Sequence, residues 1–372
     1  MSPSPSPRAY RAAIIGTGAI ARAHADAIRA LAPRIELIAV ADVDLDRAHA
    51  FAAEYGVSSA YADAAELLRT EELDLVHICT PPGSHTPLAL LAQRAGVMPL
   101  VEKPTALSLR ELDDMIEAEH ETGVPVLTVF QHRFGPAARH LAGLVASGRL
   151  GRPLVATCET LWYRDDEYFA VPWRGRWEVE GGGPTMGHGI HQFDLLLAIL
   201  GPWSTVSAFA GRQSRPTDTE DVSIALTRFE NGALATVVNS VVSPRETSRL
   251  RFDFEHATVE LEHLYGYTSG DWTFTPAPGH EELSALWQAD PASEASSHRD
   301  QLRAILDAFD ASTVPEVALA DARRTMEFAA AIYASAFRGA PVSAGEIGGE
   351  DPFLQSMDGG MVPWPSVKAV AV

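Results

Sequence analysis

Through the first third of the chain, short apolar runs alternate with stretches of helical periodicity. Residues 10–15, 35–41, 73–80, 98–101 and 124–130 read as strands. Residues 20–31, 45–55, 62–69, 87–96 and 109–122 carry apolar side chains at helical spacing. Strands separated by helices do not pair as hairpins, so this alternation predicts a parallel sheet with crossover helices. After residue 131 the pattern changes. A helix at 136–147 leads to a long strand at 153–163, and a Gly-rich loop leads to a helical segment at 187–200. Strand patterns then crowd together at 206–210, 222–229, 233–242, 249–254 and 258–263. Asn231-Gly232 is a hairpin signal, so a largely antiparallel sheet is predicted here. Helices at 298–310 and 319–339 close the patterned region. The expected organisation is a disordered tail (1–9), a first α/β domain (10–130), a second α/β domain (131–342, including helices within 298–339) and a C-terminal tail (343–372).

Composition narrows the class. A chain of 372 residues with 46% hydrophobic and 21% charged residues is long enough for two globular domains with real cores. Its net charge of −20 argues against nucleic acid, which is bound largely through Lys and Arg. The Ser-Pro stretch at the N-terminus lacks the basic and apolar regions of a signal peptide. With no apolar run long enough for a bilayer, a cytoplasmic protein without a membrane partner is expected. Of the two cysteines, Cys79 lies inside an apolar strand and reads as a buried thiol.

Ala13-Ile14-Ile15-Gly16-Thr17-Gly18-Ala19-Ile20-Ala21 joins a strand to a helix through a glycine turn. Gly16 permits the turn, Gly18 lets backbone N–H groups approach a pyrophosphate, and Ala21 lets helix and strand pack closely. Downstream, Asp42 ends an apolar run where a carboxylate binds the adenosine ribose and repels a 2′-phosphate. No Arg or Lys adjoins it in the sequence, so NAD is expected rather than NADP. Asp44 reads as the cap of the next helix.

Three further clusters could carry chemistry. Thr80-Pro81 with His85 closes one strand, and Glu102-Lys103-Pro104 closes the next, at the strand ends where parallel sheets bind ligands. Lys103 could bind a substrate hydroxyl and favour its deprotonation. Gly181-Gly182-Gly183 allows close backbone approach to a ligand, and His191 follows on a helix with Asp194 on roughly the same face. A histidine is suited to proton transfer near neutral pH. His188 and His191 lack a completing carboxylate or thiolate set, so no metal is expected.

In order and spacing these clusters resemble the Gfo/Idh/MocA family of NAD(P)-dependent oxidoreductases. The resemblance implies an N-terminal Rossmann domain with a parallel sheet, then an α/β domain with a large open, mostly antiparallel sheet that supports a homo-oligomer, dimer or tetramer. It implies that Gly16, Gly18, Ile20, Ala21 and Asp42 contact the dinucleotide. Thr80, Pro81, His85 and Glu102 would flank the nicotinamide ribose, and Gln131 would approach the nicotinamide end. Lys103 would be the catalytic lysine and His191 the proton-relaying histidine. Many dehydrogenases of the family carry an Asp where this chain has Gly187, so one relay partner is missing.

Between 161 and 177 aromatics interleave with charge, as suits stacking on sugar C–H faces and hydrogen bonding to hydroxyls. Arg164, Tyr168, Trp173 and Arg174, with His188 and His191, are the substrate-side candidates. The expected function is NAD-dependent oxidation of a CH–OH group on a sugar, an inositol-like polyol or a sugar derivative. The alternatives are a redox-neutral NAD-using sugar lyase or hydrolase, and a non-catalytic NAD- or sugar-sensing regulator.

Overall fold

The computed structural model describes residues 8–287 and 295–368, so residues 1–7 of the disordered tail expected at 1–9 lie outside the described residues, and Arg8 is paired with Asp74. Two compact units emerge: the second takes residues 106–111 and most of the chain from 130 onward, while 298–320 return to the first.

The first unit is built on β1 (Tyr10–Ile15), β2 (Ile35–Ala41), β3 (Ser59–Tyr61), β4 (Leu75–Ile78), β5 (Met98–Val101) and β6 (Leu127–Thr128). All pair in parallel, in the order β3-β2-β1-β4-β5-β6. The order reverses direction between β1 and β4, the switch point where such sheets bind ligands beyond their carboxyl ends. Side chains alternate along β1: Ala12 and Ile14 enter one buried cluster, Ala13 and Ile15 another. Both faces are therefore covered, which is why the strands read as continuous apolar runs.

The helix His298–Asp310 also belongs to this unit. Its Leu302, Ile305 and Leu306 pack in the cluster that holds Ala27 and Ile28. The sequence pattern had grouped it with the second domain, because amphipathicity reveals a buried face but not the partner that covers it.

In the second unit an open sheet runs β13-β12-β11-β7-β10-β9-β8-β14. Its strands are β7 (Pro153–Tyr163), β8 (Trp203–Gly211), β9 (Val222–Phe229), β10 (Leu234–Ser240), β11 (Val242–Phe254), β12 (Ala257–His263), β13 (Trp272–Pro276) and β14 (Val342–Ser343). Among the described residues, only β7 and β10 pair in parallel in this sheet. The hairpin at Asn231-Gly232 joins β9 to β10, with Gly232 at φ 92°. One face is buried through Cys158, Ala225, Val237 and Leu250. The other leaves Phe209, Ile224, Leu226 and Leu234 exposed.

The C-terminal segment is ordered against this unit as far as it is described. β14 extends the sheet, Phe353 is buried, and Trp364 Nε1 donates to the Asp218 carbonyl at 2.8 Å. Among the described residues, no helix is long and apolar enough to cross a membrane.

Candidate active site

The dinucleotide turn follows β1 directly. Gly16 has φ +89°, and an added Cβ would lie 2.7 Å from Thr80 Cγ2 and 2.8 Å from the Thr80 nitrogen. Only glycine fits there. At Gly18, by contrast, an added Cβ would meet nothing within 4 Å. This open approach at the start of the helix Ala21–Ala30 suits a pyrophosphate, whose charge the helix N-terminus favours. Ile20 stands at that N-terminus, and buried Ala21 begins the helix.

Asp42 lies beside the turn. Its Oδ2 accepts from the Thr17 N–H at 2.8 Å and the Thr17 hydroxyl at 2.9 Å, and its Oδ1 accepts from the Asp44 N–H at 3.0 Å. Arg47 reaches back to the same carboxylate, Nη2 to Oδ1 at 2.5 Å and Nε to Oδ2 at 3.1 Å. A cation therefore does adjoin Asp42 in space, one helical turn beyond what adjacent sequence showed. Burial pushes the carboxyl up, but donors from Arg47, Asp44 and Thr17 outweigh it and hold Asp42 at about 2. Asp44 caps the helix Leu45–Tyr55 through the Arg47 N–H.

Beyond β4, Ser84 Oγ donates to the Pro81 carbonyl at 2.8 Å and can accept from the Thr80 hydroxyl, 2.7 Å away. Buried His85 bridges the Thr80 and Pro104 carbonyls, each at 2.8 Å. It ties the segments following β4 and β5 together. Glu102 is also buried. Its Oε1 lies 3.0 Å from His24 Nε2 and 3.0 Å from His298 Nε2, while Oε2 accepts from the Lys103 N–H at 3.1 Å. Burial would raise the carboxyl, yet the two imidazoles hold it well below the usual carboxylate range. Lys103 thus leaves β5 on a backbone that Glu102 fixes.

In the second unit a widened helical turn, Thr185–Gly189, feeds the helix Ile190–Leu200. The triple glycine before it is required by protein packing. A Cβ on Gly183 would lie 1.9 Å from the Glu220 carbonyl oxygen, and one on Gly182 would lie 2.2 Å from the Tyr333 hydroxyl. Buried Glu220 accepts from the N–H groups of Gly183 at 2.9 Å and Thr185 at 3.0 Å, and from the Tyr333 hydroxyl at 2.8 Å. Burial pushes Glu220 up to about 7 against these donors. These contacts give Gly182 and Gly183 a packing role that the sequence did not show.

His191 is buried among aromatic rings. It stacks on His132 with centroids 5.0 Å apart and meets Tyr265 edge-on at 5.6 Å. His132 also lies 5.5 Å from His263, whose imidazole burial pushes down to about 4. Gln131 donates to the Tyr265 hydroxyl at 3.3 Å. Gly187 is bordered by open space: an added Cβ would touch nothing within 4 Å. Asp194, expected on the His191 face, is held by Arg133 and Thr325.

The substrate-side candidates form one wall. The Arg174 guanidinium lies 3.9 Å from the Tyr168 ring centroid and 4.4 Å from that of Trp173, and it donates to the Tyr168 hydroxyl. Arg164 lies over Trp162 at 4.9 Å and Tyr168 at 5.6 Å. Trp162 and Tyr168 approach His188 at 5.0 and 6.3 Å. The segment carrying the wall includes the short helices Asp166–Ala170 and Trp177–Glu180, which its aromatic composition concealed.

Sequence reasoning missed His132, His263, Tyr265 and Glu220. His132 follows Gln131 directly and could have been found there. The others lie far along the chain, and only the second sheet gathers them.

The family follows from comparison with known proteins. The model of an oxidoreductase family with an NAD-binding Rossmann fold matches residues 10–130, and that of the GFO/IDH/MocA C-terminal domain matches residues 138–260. The scyllo-inositol 2-dehydrogenase (NAD(+)) of Bacillus subtilis is 31% identical over 63% of this chain and 68% of its own length. The chain belongs to the Gfo/Idh/MocA family. This Gfo/Idh/MocA oxidoreductase is also 27% identical to the D-apiose dehydrogenase of Paraburkholderia graminis, over 95% of this chain and 94% of that protein. In fold it is similar to the WlbA dehydrogenase of Bordetella pertussis, solved with NADH and UDP-GlcNAcA. The TM-score is 0.81 at 24% identity, covering 90% of this chain and 99% of that one.

Proposed function

We propose that this oxidoreductase is an NAD-dependent dehydrogenase of a CH–OH group on a sugar, an inositol-like polyol or a sugar derivative. The observation that carries the reading is the wall of Arg164, Tyr168, Trp173 and Arg174 against His188, in a chain whose other unit holds an open dinucleotide turn. Aromatic faces stack on sugar C–H surfaces, and guanidinium groups bind hydroxyls or carboxylates. Relatives named for apiose and scyllo-inositol fit the same substrate class.

The coenzyme fits the residues present. Gly16, Gly18, Ile20 and Ala21 would receive the pyrophosphate, and Asp42 the ribose. Thr80, Pro81, His85 and Glu102 would form the strand-end surface for the nicotinamide ribose, and Gln131 would approach the ring. When bound, nicotinamide exchanges a hydride with the carbinol carbon. Lys103 binds the substrate hydroxyl and lowers the cost of removing its proton. His191, packed between His132 and Tyr265, takes the proton as general base. Gly187 leaves this relay without the family's usual carboxylate.

The exposed apolar face at Phe209, Ile224, Leu226 and Leu234 favours a homo-oligomer, dimer or tetramer, formed through the open sheet. Two buried, unbridged cysteines suit the reducing cytoplasm.

Incubation of the purified enzyme with NAD and a panel of aldoses, anhydrosugars and inositols tests the assignment. NADH formation with one group of these substrates is expected. Tight coenzyme binding with no turnover across the panel would favour a sensor instead.

A further inference from the structure

His24, Glu102 and His298 are far apart in sequence, yet they converge inside the first unit. Both His24 Nε2 and His298 Nε2 lie 3.0 Å from one oxygen, Glu102 Oε1. The side chains are 1%, 11% and 7% exposed for His24, His298 and Glu102. All three donor atoms fall within 4.8 Å of one another. A tetrahedral zinc ion bound at about 2.0–2.2 Å separates its ligand atoms by roughly 3.3–3.5 Å. Each of the two His–Glu102 separations therefore needs to open by only a few tenths of an ångström.

We infer that His24, Glu102 and His298 form a binding site for a divalent transition cation, zinc foremost. Two imidazoles and one carboxylate are a ligand set that zinc accepts, with water in the fourth position. The surrounding groups match what such ligands require. A histidine that binds through Nε2 must donate its Nδ1 proton to orient the ring. His24 Nδ1 lies 2.7 Å from His77 Nδ1, which can accept it. The other Glu102 oxygen is fixed by the Lys103 N–H.

A second observation points to a ligand. His77 is 1% exposed, and among the described residues its Nε2 has no hydrogen-bond partner. It lines one recess together with His24, His298 and the apolar Leu100, Val129 and Leu302. With its Nδ1 accepting from His24, the His77 Nε2–H is a buried donor, and such a donor is commonly satisfied by a bound water, here one held by the cation. The cation would join the helix Ala21–Ala30, the end of β5 and the helix His298–Asp310, bracing the strand end that presents Lys103. His77 acts through His24 and is a positioning residue.

Titration of the chelator-stripped, full-length protein with Co2+ tests the site. The expected result is about one Co2+ per chain, with the visible absorption of four-coordinate cobalt, displaced by Zn2+. His298→Gln should abolish the spectrum. His77→Phe should keep the stoichiometry and weaken binding by roughly 10–100-fold. Wild-type protein that neither binds Co2+ nor yields that spectrum would overturn the inference without reliance on any variant. An unchanged spectrum in His298→Gln would overturn it equally.

Discussion

Arg133 grips Asp194 through two parallel hydrogen bonds, Nε to Oδ2 at 2.7 Å and Nη2 to Oδ1 at 2.6 Å. The Asp194 side chain is fully buried and also accepts from the Thr325 hydroxyl at 2.8 Å. The pair anchors the helix of His191 to the segment of His132. Removing Asp194 leaves the mostly buried Arg133 with the Asp321 carboxylate at 3.3 Å, a weaker pairing, so the loss costs about 3 kcal/mol, the low end for a broken buried pair. Asp194→Ala should therefore lower the melting temperature markedly, as read by calorimetry. A melting temperature equal to wild type would contradict this assignment.

Gly16 and Gly18 should respond oppositely to the same methyl group. At Gly16 the added Cβ meets the Thr80 backbone nitrogen at 2.8 Å on a left-handed residue, so Gly16→Ala should destabilise the fold by roughly 1–3 kcal/mol. At Gly18 the space is open, and the methyl would intrude only on the pyrophosphate. Gly18→Ala should keep the wild-type melting temperature and lose about tenfold in NADH affinity, ~1.4 kcal/mol by calorimetric titration.

Asp42 makes stability depend on acid. Its folded value of about 2 lies below the ordinary 3.8, so the group contributes stability above that ordinary value. The contribution is lost as pH falls through about 4 toward 2, and integrates to roughly 2 kcal/mol. The stability gap between wild type and Asp42→Asn, measured by urea unfolding, should be largest near neutral pH and shrink across that acid window. Parallel curves would refute the linkage.

Gly187 offers a gain rather than a loss. The position has room for a Cβ, so Gly187→Asp should fold with little change in stability. A carboxylate four residues before His191 on helical backbone can pair with the imidazolium. The pH profile of kcat/KM should then shift its basic-group inflection upward in the variant. A variant whose profile matches wild type would detach His191 from proton transfer.

The parallel sheet was legible because its strands are buried on both faces and punctuated by turn residues. Gly16, Asp42 and the strand-end segments at Thr80 and Lys103 were legible for the same reason: local chemistry marks them. The pairing of Arg47 with Asp42 was hidden because a helical turn, not adjacency, makes it. His24, His77 and His298 read as ordinary helix and strand residues, since only tertiary packing converges them on Glu102. β3 and β14 were too short for any periodicity to register.

Lys103 is the residue on which the dehydrogenase account turns. With the sugar that wild type oxidises, initial-rate NADH formation by Lys103→Met should fall by ~10²–10⁴-fold, while NADH affinity changes only slightly. Wild-type turnover by that variant, or sugar consumption by the wild type with no net NADH, would contradict the account.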